Sequence, residues 1–143
     1  MTDKKLTLKQ KISLTEQIIK FLIKHELFYD VSIYAAGRRY SSNKHNGFVK
    51  IEELSVKTDD CAFTVWRSPG SDVKVPCEYG NPDTLTMTFE GPFYSVVNYR
   101  GDTEYCDRIT GEFNEILKQY GLYYELGHAW SLSLYFDWST TTT

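Results

Sequence analysis

The last third of the chain most constrains the fold, because an amphipathic helix there leads directly into a strand hairpin. Asp102 is a good N-cap, and Gly121 stands where helices end in the left-handed conformation. Between them apolar side chains recur at helical spacing: Tyr105, Ile109, Phe113, Ile116, Leu117 and Tyr120. Two alternating segments, 122–126 and 130–136, follow around a turn at Gly127-His128. This order predicts an antiparallel sheet with one face covered by helices.

The chain also begins with a predicted helix, from about residue 8 to 27. Its apolar stripe consists of Leu8, Ile12, Ile19, Leu22 and Ile23, widened by Leu14, Ile18 and Phe21. Two capping signatures compete for the start, Thr7 with Gln10 and Ser13 with Glu16. The polar face is rich in lysine.

The middle of the chain alternates as short strands do. Strands are predicted over 31–35, 48–56, 61–66, 73–77 and 84–89, with a bulge near Glu52–Glu53. Residues 37–47 are predicted to form a polar, basic loop, and Gly91-Pro92 to start a short helix. The spacing favours an antiparallel meander. The predicted fold is α+β: a single domain over 1–143 with one antiparallel sheet of about six to seven strands, and an N-terminal and a second long helix on one face.

Composition excludes several classes of protein. The 143 residues carry a net charge of −3, and no apolar run approaches the roughly 20 residues of a membrane span. The polar start is not typical of a signal peptide. Cys61, Cys77 and Cys106 are odd in number and lack a Cys-x-x-Cys pair, so we expect free, buried thiols in the cytoplasm.

No catalytic motif is recognisable. The sequence lacks a phosphate-binding loop, a dinucleotide fingerprint, a nucleophile elbow and a His-Glu-x-x-His pair. His25, His45 and His128 have no second ligand at useful spacing, so no metal or other cofactor is expected. Neighbouring carboxylates on a strand point to opposite faces, which argues against acid–base pairs. We therefore predict no enzyme, with a dispersed site around His128 and Asp59–Asp60 as the residual alternative.

Charge is distributed unevenly along the chain. Residues 1–50 hold ten basic and four acidic residues, whereas residues 76–126 hold nine acidic and three basic ones. Either the charges of the two segments intermingle on the folded surface, or they form separate surfaces that bind partners of opposite charge.

If the asymmetry marks a partner, binding through an acidic surface is the leading prediction. The predicted partner-binding residues on the second long helix are Glu104, Asp107, Gly111, Glu112 and Glu115. Tyr34, Tyr123 and Tyr135 are predicted aromatic anchors. An acidic protein with such anchors suits the basic groove of a nucleic-acid-handling complex, as a competitor for DNA or RNA.

The alternative prediction is a nucleic-acid-binding module that uses the first helix and the basic loop. Its predicted contacts are Arg38, Arg39, Tyr40, Lys44 and His45, since arginines beside a tyrosine suit phosphate contact and base stacking. Because strand edges are expected to be exposed, the sequence is also compatible with a homodimer.

Two segments carry a resemblance. The sequences FEGPFYSVVNY at 89–99 and YGLYYELGHAWSLSLY at 120–135 resemble segments of small accessory proteins carried by phages and conjugative elements of Gram-positive bacteria. They cover 27 of the 143 residues. The resemblance implies an accessory protein of a mobile element, a class that includes anti-CRISPR and anti-restriction inhibitors of host defence nucleases. It carries over no functional residue.

Overall fold

The computed structural model describes residues 4–42, 48–57 and 62–137, which form three helices and seven strands. The helices are α1 (Leu8–Lys24), α2 (Pro92–Val97) and α3 (Thr103–Lys118). The strands are β1 (Val31–Ala35), β2 (Arg38–Ser41), β3 (Val49–Lys57), β4 (Ala62–Arg67), β5 (Thr86–Phe89), β6 (Leu122–His128) and β7 (Ser131–Phe136). None of the helices in these ranges combines the length and apolar character needed to cross a membrane.

All seven strands belong to one antiparallel sheet, in the order β3-β4-β2-β1-β5-β7-β6. The α+β prediction is thus confirmed, but the simple meander is wrong. Hairpins join β1 to β2, β3 to β4 and β6 to β7, whereas β4 returns beside β2 and β5 pairs with β1. The predicted bulge in β3 is present, as register shifts on both sides of Glu52–Glu53.

The predicted loop over 37–47 is wrong in its first half, because Arg38–Ser41 is strand β2. Ala35 pairs with Arg38, so only Ala36 and Gly37 form the turn. Both have positive φ, 56° and 73°, which is the geometry of a type I′ hairpin turn. Residues 43–47 lie outside the described part of the chain.

The predicted strand over 73–77 is also wrong, because this segment has no regular structure. Pro76 has no backbone N–H to donate to a sheet. The chain around Val73 and Tyr79 instead packs on the sheet face opposite the helices. Val73 N donates to Gly37 O at 2.9 Å, and Ser133 Oγ donates to Tyr79 O at 2.6 Å.

Helix α1 starts with the first of the two capping signatures. Thr7 and Gln10 form a reciprocal capping box, with hydrogen bonds of 2.9 and 3.1 Å. The helix ends at Lys24, earlier than predicted, since Glu26 takes a positive φ and Leu27 N donates to Leu22 O. The buried face is formed by Leu14, Thr15, Ile18, Ile19, Phe21 and Leu22. Leu8, predicted in the stripe, is 60% exposed.

Helix α3 forms as predicted. The Asp102 carboxylate accepts from the backbone of Glu104 and Tyr105, and Gly121 ends the turn after the helix with a φ of 71°. Phe113 is fully buried, and its ring contacts those of Phe21, Phe93 and Tyr124 at centroid distances of 5.4–5.5 Å. This aromatic cluster joins all three helices to β6.

The final hairpin turns two residues later than predicted. Strand β6 continues to His128, with an irregular register between Leu126 and His128, and the turn falls at Ala129-Trp130. Of the cysteines, Cys106 is buried as predicted and Cys77 is only half-buried. Cys61 lies outside the described residues.

Candidate binding surfaces

The outer face of α3 exposes a line of acidic residues. Glu104, Asp107 and Glu115 are exposed along it, together with Gly111. Their spacing of three or four residues places them on one side of the helix, over about 17 Å from first to last. We call Glu104, Asp107, Gly111 and Glu115 the acidic face.

Glu112, predicted as part of this surface, is directed towards α1 instead. Its Oε2 lies 2.8 Å from Nε2 of His25 and 3.3 Å from Nζ of Lys24. The hydrogen bond from His25, supported by Lys24, holds the pKa of Glu112 below its ordinary value. The basic first third and the acidic second half therefore meet at this point.

Tyr99 stands beside the acidic face and is bonded to it. The Tyr99 hydroxyl donates to Oδ1 of Asp107 at 2.7 Å and lies 3.0 Å from Oγ1 of Thr110. Tyr99 follows α2 in the left-handed conformation with φ 54°, a position that glycine usually takes. Its side chain remains 44% exposed. The acidic face thus has an aromatic neighbour that the sequence pattern did not indicate.

Gly111 lies in the middle of α3 with open space around it. A Cβ at this position would have no heavy atom within 4 Å, apart from the adjacent helix backbone. Packing of a neighbouring element therefore does not explain the glycine. Because Gly111 has no side chain, a partner has room to approach the helix backbone between Asp107 and Glu115.

The predicted tyrosine anchors do not join the acidic face. Tyr34 is only 5% exposed, so it is not an anchor. Tyr123 and Tyr135 are a cross-strand pair with ring centroids 6.0 Å apart. They lie on the sheet face opposite α3, because their neighbour Tyr124 is the residue that contacts Phe113.

The predicted basic surface is divided by the sheet. Arg38 and Arg39 are consecutive residues of β2, so their side chains leave opposite faces. Tyr40 is 2% exposed and cannot stack on a base, and burial raises the pKa of its phenol. Lys44 and His45 lie outside the described residues. In α1, Lys11 donates to Pro82 O at 2.8 Å and Lys24 pairs with Glu112.

The alternative catalytic site predicted around His128 and Asp59–Asp60 lies partly outside the described residues. His25 is bonded to Glu112, and the His128 ring stacks on Trp130 at a centroid distance of 4.6 Å. Of this predicted site, Asp59 and Asp60 lie outside the described ranges. No cluster of three or more potential metal ligands occurs among the residues that the structure describes.

A cavity of about 370 Å³ lies on the sheet face opposite the helices. Its floor is formed by Ser32, Tyr34 and Arg39, whose side chains leave the same face of β1 and β2. Pro76 and Trp130 also line it. Sequence reasoning missed this cavity, because the chain from 68 to 84 and the final hairpin meet there only in the folded protein.

Comparison with known proteins finds no matching family model, and no curated protein or solved structure is significantly similar to the chain. The resemblance to accessory proteins of mobile elements therefore stays a prediction.

Proposed function

We propose that this is a non-enzymatic, cytoplasmic binding protein that uses the acidic face of α3 to occupy a basic surface of a nucleic-acid-handling complex. The observation that carries the proposal is the exposure of Glu104, Asp107 and Glu115 along one helix, around an unobstructed Gly111.

The charges of the acidic face are available to a partner. Lys118 lies 3.4 Å from Glu115, and both side chains of that pair are about two-thirds exposed or more. In the described part of the chain, no other ion pair reaches the acidic face. Exposed pairs of this kind contribute little, so exchanging them for a partner's cations costs little.

The shape of the acidic face suits a groove built for nucleic acid. Three carboxylates spread along about 17 Å of helix present negative charge in a row, as a phosphate backbone does. A rigid helix also loses less conformational entropy on binding than a loop would. Tyr99 adds an aromatic contact at the margin of the row.

The resemblance at 89–99 and 120–135 supports a specific version of this function. The first segment contains α2 and Tyr99, and the second begins where α3 ends. We propose that the protein belongs to a mobile genetic element and inhibits a host defence nuclease, in the manner of anti-CRISPR or anti-restriction proteins.

Affinity capture with charge-reversed variants tests the proposal. The tagged protein is incubated with nuclease-treated bacterial lysate and compared with a Glu104→Lys, Glu115→Lys variant. A matched control, Glu78→Lys with Asp83→Lys, makes the same change of net charge at exposed sites elsewhere. We expect one stoichiometric partner that the wild type and the control retain and the α3 variant loses. Added duplex DNA or RNA should displace the protein from that partner.

Three results would reject the proposal. Equal loss of the partner in both variants would show that binding depends on net charge alone. Equal retention of the partner would show that the acidic face does not bind it. Recovery of nucleic acid, with every partner lost after nuclease, would favour the alternative nucleic-acid-binding function.

A further inference from the structure

The cavity on the sheet face opposite the helices is closed at one end by backbone hydrogen bonds between neighbouring segments. Phe89 N donates to Trp130 O at 2.8 Å, and Glu90 N donates to Asp30 O at 3.2 Å. These bonds bring the turn of the last hairpin and the start of β1 to the end of β5. The volume of about 370 Å³ is within the range of small-molecule sites.

Arg39 supplies a positively charged group at the floor of this cavity. Its Nε and Nη2 donate to Oγ of Ser32 at 3.2 and 3.0 Å, and its guanidinium lies 5.4 and 5.6 Å from the ring centroids of Tyr34 and Phe48. These contacts fix its orientation. The remaining N–H groups have no acceptor among the described residues, and no described carboxylate pairs with Arg39.

A half-buried guanidinium without a carboxylate partner costs free energy unless an anion binds to it. Burial also lowers the pKa of Arg39, because partial desolvation disfavours the charged guanidinium. A carboxylate is the natural complement, because it accepts two parallel hydrogen bonds from one guanidinium.

The opposite end of the cavity has the opposite charge. Asp30 and Glu90 line it where β1 begins and β5 ends, two residues beyond Ser32 and Thr88. Two residues of a strand span roughly 7 Å. The Glu90 carboxylate is exposed and makes no hydrogen bond or ion pair with a described residue. A simple anion would be repelled here, whereas an ammonium group would be attracted.

We propose that this cavity binds a small zwitterion of the free α-amino-acid class. Arg39 binds the carboxylate, Glu90 binds the ammonium group, and Trp130 with Pro76 forms an apolar wall for the side chain. The Trp130 ring is held for this by its parallel stacking on His128, with 5° between the ring planes. This site is independent of the acidic face of α3.

Calorimetric titration of the full chain with three matched probes tests the site. L-phenylalanine carries both charges, 3-phenylpropionate lacks the ammonium group, and phenethylamine lacks the carboxylate. We expect L-phenylalanine to bind at least about tenfold more tightly than either analogue, because each loses one charge-assisted contact. Glycine should bind more weakly than L-phenylalanine, since it leaves Trp130 uncovered.

Variants locate the binding. Arg39→Gln should weaken the binding of L-phenylalanine by about tenfold or more. Arg67→Gln, which makes the same change of charge at an exposed position, should leave this affinity unchanged. Should Arg39→Gln not fold, Glu90→Gln at an exposed position should reduce the preference for L-phenylalanine over 3-phenylpropionate. Equal affinity for L-phenylalanine and either analogue would overturn the zwitterion assignment, as would no binding of L-phenylalanine at millimolar concentration.

Discussion

Gly91, at the N-cap of α2, and Gly111, within α3, show how differently the space around a glycine α-carbon can be constrained. A Cβ at Gly91 would overlap the Tyr29 carbonyl oxygen, so any side chain must move the backbone. A Cβ at Gly111 meets nothing outside its own helix. Packing therefore requires glycine at position 91, whereas at position 111 the fold would also accommodate a side chain.

We therefore predict opposite effects of alanine at these two positions. Gly111→Ala should raise the free energy of unfolding by about 0.5–1 kcal/mol, because alanine is the better helix former. Gly91→Ala should lower it by about 1–3 kcal/mol through the steric clash. Chemical denaturation of both variants measures the difference, and destabilisation by Gly111→Ala would show that the site is not open.

A more stable Gly111→Ala protein also tests the acidic face. If the partner approaches the helix backbone at Gly111, the added methyl group should weaken capture of the partner although the free protein is more stable. Unchanged capture would show that the partner contacts the carboxylates and not the backbone at Gly111.

Among the elements, α1 and α3 are joined at the protein surface by a polar contact around Glu112, in addition to the buried contact of Phe21 with Phe113. His25 and Lys24 both hold Glu112, and they lower its pKa below the ordinary value of 4.5. A carboxyl whose pKa is lowered by folding stabilises the fold while it is ionised. The contribution is complete above its ordinary pKa and is lost as the pH falls through the lower value of the folded state.

We predict that Glu112→Gln costs less than about 1 kcal/mol at neutral pH, because Glu112 is partly exposed. The difference in unfolding free energy between wild type and variant should shrink as the pH falls below about 5, where Glu112 becomes protonated. Glu115→Gln is the control, since its pair with Lys118 is exposed on both sides. A difference that stays undiminished well below about pH 5 would contradict this role of Glu112.

The elements also show which parts of the fold a sequence can predict. Helix α3 was predictable because its two ends are local, with a cap at Asp102 and a glycine at 121. Strand β2 was not, because Arg38 and Arg39 belong to a strand only through pairing with β1 and β4. The Ala36-Gly37 turn was its one local signal.

The candidate sites follow the same division. The acidic face was visible because helical spacing alone places Glu104, Asp107 and Glu115 together. Glu112 was assigned to the wrong face because its partners lie on another helix. Tyr99 and the cavity were not predictable, since both depend on contacts between elements that are distant in sequence.

On the scale of the whole molecule, the buried aromatic cluster connects the helical layer to the sheet. Phe113 contacts Phe21 of α1, Phe93 of α2 and Tyr124 of β6. Phe93 in turn contacts Phe89 of β5, at 5.1 Å between centroids. Loosening one ring therefore affects all the layers at once, and the described elements should unfold as one cooperative unit.

We predict that Phe113→Ala lowers the free energy of unfolding by about 3–5 kcal/mol, because it leaves a cavity among rings that cannot collapse together. Urea denaturation should still show one transition of unchanged slope, with near-ultraviolet and far-ultraviolet circular dichroism changing together. Leu8→Ala, at a side chain that is 60% exposed, should change stability by less than about 0.5 kcal/mol. Two separate transitions in the Phe113 variant would mean that the helices and the sheet are stabilised independently, and the cluster would then not be what unites them.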